Sequence, residues 1–416
     1  MLVIRYRWAG QADRAELLDL ITAGFAVGPD GGTDETRGRE HRILFSYLYS
    51  RPAWRPDWVM VGEVKRRLAA AVGFFPQQLH CGAATLPVWA VSPVVVHPDR
   101  QRKGYGGDCL RQALAMLRAQ GIPAVFLWGI PAFYPKFGFV PLLPRYKTKL
   151  ARDRFRKPAH LSPGRLRCLQ TADLVTLAAL YHRGNGRLWL QPQRTGQWWA
   201  ERMAEMDMEL AELKEAPFPK QANFLVWENC NGEPAGYLYY SDPAGLNPLT
   251  ITEAAALNPE EAAAMLAAFM EQCVATGTTI VIRGTPEHYL NLVAYRCGGT
   301  HLNPAPLAGM VKVLDWPEFG ARFNPVVANG LSDWGRRVTL PFQDGEAVWE
   351  LTVTAAGLTI SAAPAATPLL TGAQLTRLFF GLADAVDWEA LPQAAQALRK
   401  LFPSRYPFIW DANYLY

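Results

Sequence analysis

Val94-Val-Val-His-Pro-Asp-Arg-Gln-Arg-Lys-Gly-Tyr-Gly-Gly107 decides the fold. The apolar run Leu86 to Val96 reads as a buried strand, and Asp108 to Gln120 reads as a helix. Between them lies a turn holding Gly104, Tyr105, Gly106 and Gly107, with Arg102 and Lys103 at its rim. Glycine lets backbone approach a ligand closely, and the first N–H groups of a helix have no acceptor within the helix. With the helix dipole behind them, such groups make a seat for an anion of the pyrophosphate kind. The turn has neither the GxGxxG spacing of a dinucleotide fold nor the GK[ST] of a P-loop. Another apolar strand, Ala124 to Trp128, follows the helix and completes a βαβ-type unit of an α/β domain.

Working outward, Leu2 to Tyr6, Val59 to Val64 and Arg67 to Phe74 read as strands, and Asp13 to Phe25 as a helix. The polar stretch Gly28 to Arg39 reads as a mobile loop, because its turn residues and charges carry no apolar period. These elements make a first segment, residues 1–148. A second segment, 149–314, ends with the same grammar: strand Leu249 to Ala255, helix Pro259 to Thr276, strand Thr279 to Arg283. Gly129-Ile-Pro-Ala-Phe-Tyr134 after the first such series is echoed by Gly284-Thr-Pro-Glu-His-Tyr289, 155 residues later, which points to an internal duplication. The second copy has Leu257-Asn-Pro-Glu-Glu-Ala262 in place of the glycine turn, and Glu260 and Glu261 would repel a phosphate. It reads as scaffold, with Tyr289 structural. The third segment, 315–416, places strands Arg337 to Phe342, Ala347 to Ala355 and Gly357 to Ser361 around an Asp344-Gly345 hairpin turn. A helix capped by Thr371 and running to Leu382 completes an α+β unit.

Composition narrows the function classes. Of 416 residues 50% are apolar and 19% charged, so two or three domains can each bury a core and extensive disorder is excluded. Lys and Arg (42) exceed Asp and Glu (37) by only five, too thin a charge for a nucleic-acid footprint. Cys81, Cys109, Cys168, Cys230, Cys273 and Cys297 form no CxxC pair, and His and Cys spacing shows no metal pattern. No run approaches the ~20 apolar residues of a membrane span, and charge arrives too early at the N-terminus for a secretory leader. A soluble, cytoplasmic protein is expected.

The quoted stretch resembles motif A of GNAT N-acetyltransferases, which cradles the pyrophosphate of acetyl-CoA, and Tyr134-Pro-Lys-Phe-Gly-Phe139 resembles an element that closes the same fold. The whole chain resembles the narrower enhanced-intracellular-survival (Eis) family, in Leu180-Tyr-His-Arg-Gly-Asn185 with Trp198-Trp199 and in Met310-Val-Lys-Val-Leu-Asp315. That resemblance implies an α/β (α+β) chain of tandem GNAT domains: a catalytic one at 1–148 and a degenerate one at 149–314. A sterol-carrier-protein-like domain at 315–416 would follow.

It further implies an acetyl-CoA-dependent N-acetyltransferase acting on a polycationic small-molecule amine such as an aminoglycoside, assembled as a homo-oligomer, in that family a hexamer. The N–H groups of Val94 and Val96 would hold the pantetheine and thioester carbonyl, and Arg102, Lys103, Gly104, Tyr105, Gly106 and Gly107 the pyrophosphate. Tyr134 would be the general acid and the α-carboxylate of Tyr416 the base or anchor for the amine. Asp30, Asp34, Glu35 and Glu40, with Trp54 and Trp58, are weaker candidates for receiving a cation, and His97 reads as a turn residue. Two alternatives remain open: acetylation of a protein or peptide lysine, and a non-catalytic CoA- and lipid-binding sensor.

Overall fold

The first unit alternates helices with long strands. It comprises β1 (Arg5–Trp8), α1 (Arg14–Phe25), α2 (Glu35–Leu48), β2 (Val59–Val64), β3 (Arg67–Cys81) and β4 (Ala84–Val96), then α3 (Tyr105–Ala119), β5 (Ala124–Trp128) and β6 (Val140–Leu143). This computed structural model describes residues 4–28, 31–202, 223–241, 248–302, 309–328, 330–332 and 334–409. Tyr416 and Asp30 lie outside the described residues.

Two boundaries differ from the sequence expectation in ways that matter. The stretch expected as a loop to Arg39 becomes helix at Glu35, because Asp34 accepts the N–H of Arg37 and caps α2. The helix was illegible because its buried residues are few and cluster near its C-terminal end, at Phe45, Tyr47 and Leu48. The helix expected from Asp108 starts at Tyr105, so Gly106 and Gly107 form its first turn instead of a preceding loop.

After the first unit comes β7 (Lys147–Ala151), and the second unit runs β8 (Gly164–Cys168), α4 (Leu174–Asn185), β9 (Gln191–Pro192), β10 (Phe224–Asn229), β11 (Pro234–Ser241) and β12 (Leu249–Ala256). It continues through α5 (Pro259–Gln272), β13 (Thr279–Arg283), α6 (Tyr289–Arg296) and β14 (Thr300–Leu302), and β15 (Gly309–Val313) follows it. The helix α5 stops short of the expected Thr276, closing on Cys273.

Among the described residues the first sheet has the order β1-β2-β3-β4-β5-β15-β6, with β9 added against β3. The second reads β8-β10-β11-β12-β13-β7-β14. These are one topology twice. Each has a single parallel pair at its centre, β4 with β5 and β12 with β13. The sixth position of each is filled reciprocally: β15, after the second unit, inserts into the first sheet, and β7, after the first unit, inserts into the second. Neither sheet is complete without the other's strand.

The third segment contributes α7 (Trp316–Ala328), β16 (Val338–Asp344), β17 (Ala347–Thr354), β18 (Gly357–Ala362), β19 (Leu370–Thr371) and α8 (Gly372–Phe379). Thr371 caps α8 with Gln374 as expected, and the helix ends at Phe379, where Leu382 N–H closes back on Arg377 O. Its core is continuous with that of the first unit. Phe319, Phe323, Phe379 and Phe402 belong to one buried cluster with Leu17, Ile21 and Phe45, and α7 packs against both β4 and β18. Truncating a ring in such a core removes its transfer energy and leaves a cavity, about 3–5 kcal/mol for Phe to Ala. Phe323→Ala is therefore expected to lower the denaturant midpoint by that equivalent, with loss of first-unit and third-segment structure in a single transition.

Candidate active site

Three residue pairs join β4 to β5, Val88 to Ala124, Trp89 to Val125 and Ala90 to Phe126, and then the strands diverge. On its other edge β4 stays with β3, pairing Val96 with Ala70, Val95 with Ala71 and Val94 with Val72. His97 N–H donates to Ala69 O at 2.9 Å. Antiparallel ladders alternate, so Val95 is the next residue bonded to β3, while the N–H groups of Val94 and Val96 point into the gap left by β5. Both valines line a cavity of about 620 Å³.

The same cavity is bounded by the start of α3. Gly104 caps the helix in the left-handed region (φ 84°), after Arg102 at φ 60°. A Cβ on Gly106 would come within 2.8 Å of Val96 Cγ2, so only glycine lets the helix start this close to the strand. Arg102, Gly104, Tyr105, Gly106 and Gly107 all line the cavity. Lys103 does not: its ammonium turns back to Asp99 O at 2.8 Å. Positive charge comes instead from Arg37, Arg100 and Lys136, which sequence reasoning missed because each sits outside the glycine turn.

Tyr134 lines this cavity too. It opens a short 3₁₀ turn to Phe137 and packs edge-on against Phe133 and Phe139 at 5.0 and 5.8 Å. A Cβ on Gly129 would overlap Tyr134 Cε2, so the glycine after β5 is what admits the ring. Burial pushes the phenol up to about 12, which keeps its proton in place at neutral pH. Burial likewise pushes the thiols of Cys81 and Cys109 up to about 12, so neither offers a thiolate.

The second sheet diverges in the same way after Ile251 and Ile282, yet its gap is filled from within. His288 Nε2 and Asn185 Nδ2 both reach Ala254 O, at 2.9 and 3.3 Å. Tyr289, the counterpart of Tyr134, opens α6 under the guanidinium of Arg187, 3.8 Å from its ring centre.

A separate cavity of about 320 Å³ is walled by Trp54 and Trp58 from the first unit and by Trp198 and Glu201 from the second, with Arg51 also present. Trp58 meets Trp89 of β4 at 6.0 Å, and Phe75, Pro76, Gln77 and Gln78 of β3, which line this cavity, pair with Ala90, Trp89, Val88 and Pro87 of β4. Asp34, Glu35 and Glu40 line neither cavity. His97 accepts from Asp99 N–H within its turn.

A family model described as an acetyltransferase (GNAT) domain matches residues 5–142. A protein of unknown function from Enterococcus faecalis V583, described as a probable N-acyltransferase, is 17% identical with TM-score 0.73, covering 99% of this chain and 100% of that one. A GCN5-related N-acetyltransferase from Kribbella flavida is 16% identical with TM-score 0.67, covering 99% and 98%. Eis1 from Mycobacterium abscessus is 16% identical with TM-score 0.66, covering 98% and 99%. No curated protein matches the sequence. The molecule thus has a GNAT-superfamily acetyltransferase fold, within a mixed α+β chain whose several sheets are consistent with more than one such subdomain. The match over residues 5–142 and the shared fold support an enzyme of the GNAT acetyltransferase type, with acetyl-CoA as its cosubstrate. Among the described residues no helix is long and apolar enough to cross a membrane.

Two expectations follow. Gly106→Val drives a side chain into Val96, and acetyl-CoA binding measured by calorimetry is expected to weaken at least about tenfold, one lost charge-assisted contact. His288 is held neutral, its value lowered by burial from the ordinary 6.5 to about 4. The unfolded chain takes up this proton first, so stability falls as pH drops below about 6.5 and levels off near 4. His288→Gln is expected to flatten that part of the stability profile in chemical denaturation.

Proposed function

We propose that the enzyme transfers acetyl groups to amines of a polycationic small molecule such as an aminoglycoside. The observation that carries the reading is a single cavity holding the outward N–H groups of Val94 and Val96, the start of α3, and the Tyr134 phenol. Acetyl-CoA supplies an acyl group activated as a thioester. In this proposal the N–H groups of Gly106 and Gly107, with Arg102, hold its pyrophosphate, and those of Val94 and Val96 hold the pantetheine and the carbonyl oxygen. Backbone donors aimed at a carbonyl in a dry site stabilise the charge that grows on its oxygen by a few kcal/mol. Tyr134 then donates its proton to the departing sulfur as the neutral amine nitrogen takes the acyl carbon and the C–S bond breaks. The proton shed by nitrogen would pass to the Tyr416 α-carboxylate, the base the resemblance implies.

The amine would enter the tryptophan-walled cavity. Indole faces attract cations, and Glu201 supplies a carboxylate. In this reading the first unit is the catalytic GNAT domain, 1–148, and 149–314 a degenerate second one whose cosubstrate place His288 and Asn185 occupy. The third segment, 315–416, remains proposed as sterol-carrier-protein-like. Its described apolar cavity, beside Phe323 and Phe379, is about 60 Å³, room for a water or two and too small for a lipid. The resemblance adds the Tyr416 α-carboxylate as amine anchor and a hexameric assembly.

The test is thiol release from acetyl-CoA with kanamycin, spermidine and a lysine-containing peptide. Kanamycin turnover is expected, with kcat lowered roughly 10²- to 10⁴-fold in Tyr134→Phe and acetyl-CoA binding retained. A variant lacking Tyr416 is expected to raise KM for kanamycin. Turnover with the peptide alone would replace the small molecule by a protein substrate. Full activity in Tyr134→Phe would remove the acid.

A further inference from the structure

Residues 193–195 run along the wall of the tryptophan-lined cavity, and their side chains alternate. Gln193 and Thr195 are exposed and line it, while Arg194 points the other way and is 1% exposed. Arg194 forms an ion pair with Glu253 of β12, itself buried, which also accepts the Tyr237 hydroxyl at 2.7 Å. The guanidinium is otherwise held by rings: its carbon lies 4.6 Å from the Tyr181 ring centre, 4.2 Å from that of Trp198 and 5.4 Å from that of Trp199. Among the described residues its Nε and Nη2 have no hydrogen-bond partner.

Such an arrangement is a poor way to gain stability. Removing two charges from water costs more than their attraction commonly returns, and an apolar pair of the same volume often serves the fold better. Two unsatisfied nitrogens add to the cost. What the arrangement does give is a flat, rigid plate against two indoles, the buried Trp199 and the cavity-lining Trp198. Trp198, in the helical stretch 196–202, rests on that plate and lines the cavity. Glu253 matters for the same reason: a lone buried cation behind the indole would repel a cationic ligand, and the paired one carries no net charge.

We propose that Arg194, neutralised by Glu253, is a positioning residue that fixes Trp198 as the specificity-determining wall of the amine cavity. The second unit would thus take part in the reaction by shaping the acceptor site of the first. This rests on the reading of that cavity as the amine site.

The experiment is a double-mutant cycle on Arg194→Lys and Trp198→Ala, with kanamycin, spermidine and the lysine peptide as acceptors. Trp198→Ala is expected to raise KM for the accepted amine roughly tenfold, one aromatic–cation contact. Arg194→Lys keeps the charge and loses the planar stack, and is expected to raise the same KM about fivefold. The values of kcat and KM for acetyl-CoA should stay within about twofold. Acting through one indole, the two changes should not multiply: Arg194→Lys should add nothing to Trp198→Ala. If Arg194→Lys does not fold, Arg194→Met with Glu253→Gln removes both charges and enters the same cycle. An unchanged amine KM in Arg194→Lys with a raised one in Trp198→Ala overturns the positioning role and leaves the cavity reading standing. Multiplying effects overturn the proposal as well. An unchanged KM in Trp198→Ala, or turnover with none of the three amines, removes the cavity reading and the proposal with it.

Discussion

The structure turns on the divergence of two parallel strands. β4 and β5 share three residue pairs and then separate, while β4 keeps its other neighbour. A strand in that position carries N–H and carbonyl groups facing a gap, and leaving such groups buried without partners costs about 1–3 kcal/mol each. The gap must therefore be filled, by a ligand, by water or by the protein itself. The first sheet presents Val94 and Val96 to a cavity that also holds Tyr134 and the start of α3. The second sheet, built on the same topology, closes the gap with His288 and Asn185. One geometric problem has received two solutions.

The reciprocal insertion of β15 and β7 makes those two solutions parts of one body. Each sheet borrows a strand from beyond the other unit, so backbone ladders cross between them. β9 extends the tie, pairing His80 with Gln191 beside the tryptophan-lined cavity. The third segment joins through apolar packing, with the Phe319 and Phe323 rings in the same cluster as Phe45 and Leu17. Trp316 Nε1–H also donates to Asp344 Oδ2 at 2.9 Å, fixing α7 to the β16–β17 hairpin. A cavity wall assembled from distant segments holds its shape only if those segments cannot move independently. The exchanged strands supply that constraint.

Much of this was legible in the chain. The run from Val94 to Gly107 contains a strand of continuous apolar residues, a turn that needs left-handed backbone and a helix start, all set by local chemistry. The Gly129 and Gly284 echo pointed to duplication for the same reason: short-range turn chemistry is repeated in both copies. The Asp344-Gly345 turn and the Thr371 cap are equally local, each settled within four residues. Where sequence and structure differ, burial against other elements completes what the local signal leaves open. Asp34 caps α2 locally, but the helix carries too few apolar residues to show a period, and it gains its burial from α1 and from the shared core.

Tertiary structure alone decided the rest. That β15 lies between β5 and β6 depends on which edge was free once β5 had formed, and no periodicity encodes that. Lys103 reads in sequence like its neighbour Arg102, yet the turn sends its ammonium to Asp99 O and brings Arg37, Arg100 and Lys136 to the cavity instead. Trp54, Trp58 and Trp198 meet across a sequence separation that only folding closes. Sequence fixes local backbone because the energies that choose a turn or a cap act over a few residues. Which side chains share a cavity depends on packing between segments far apart in the chain, so it appears only once they have come together.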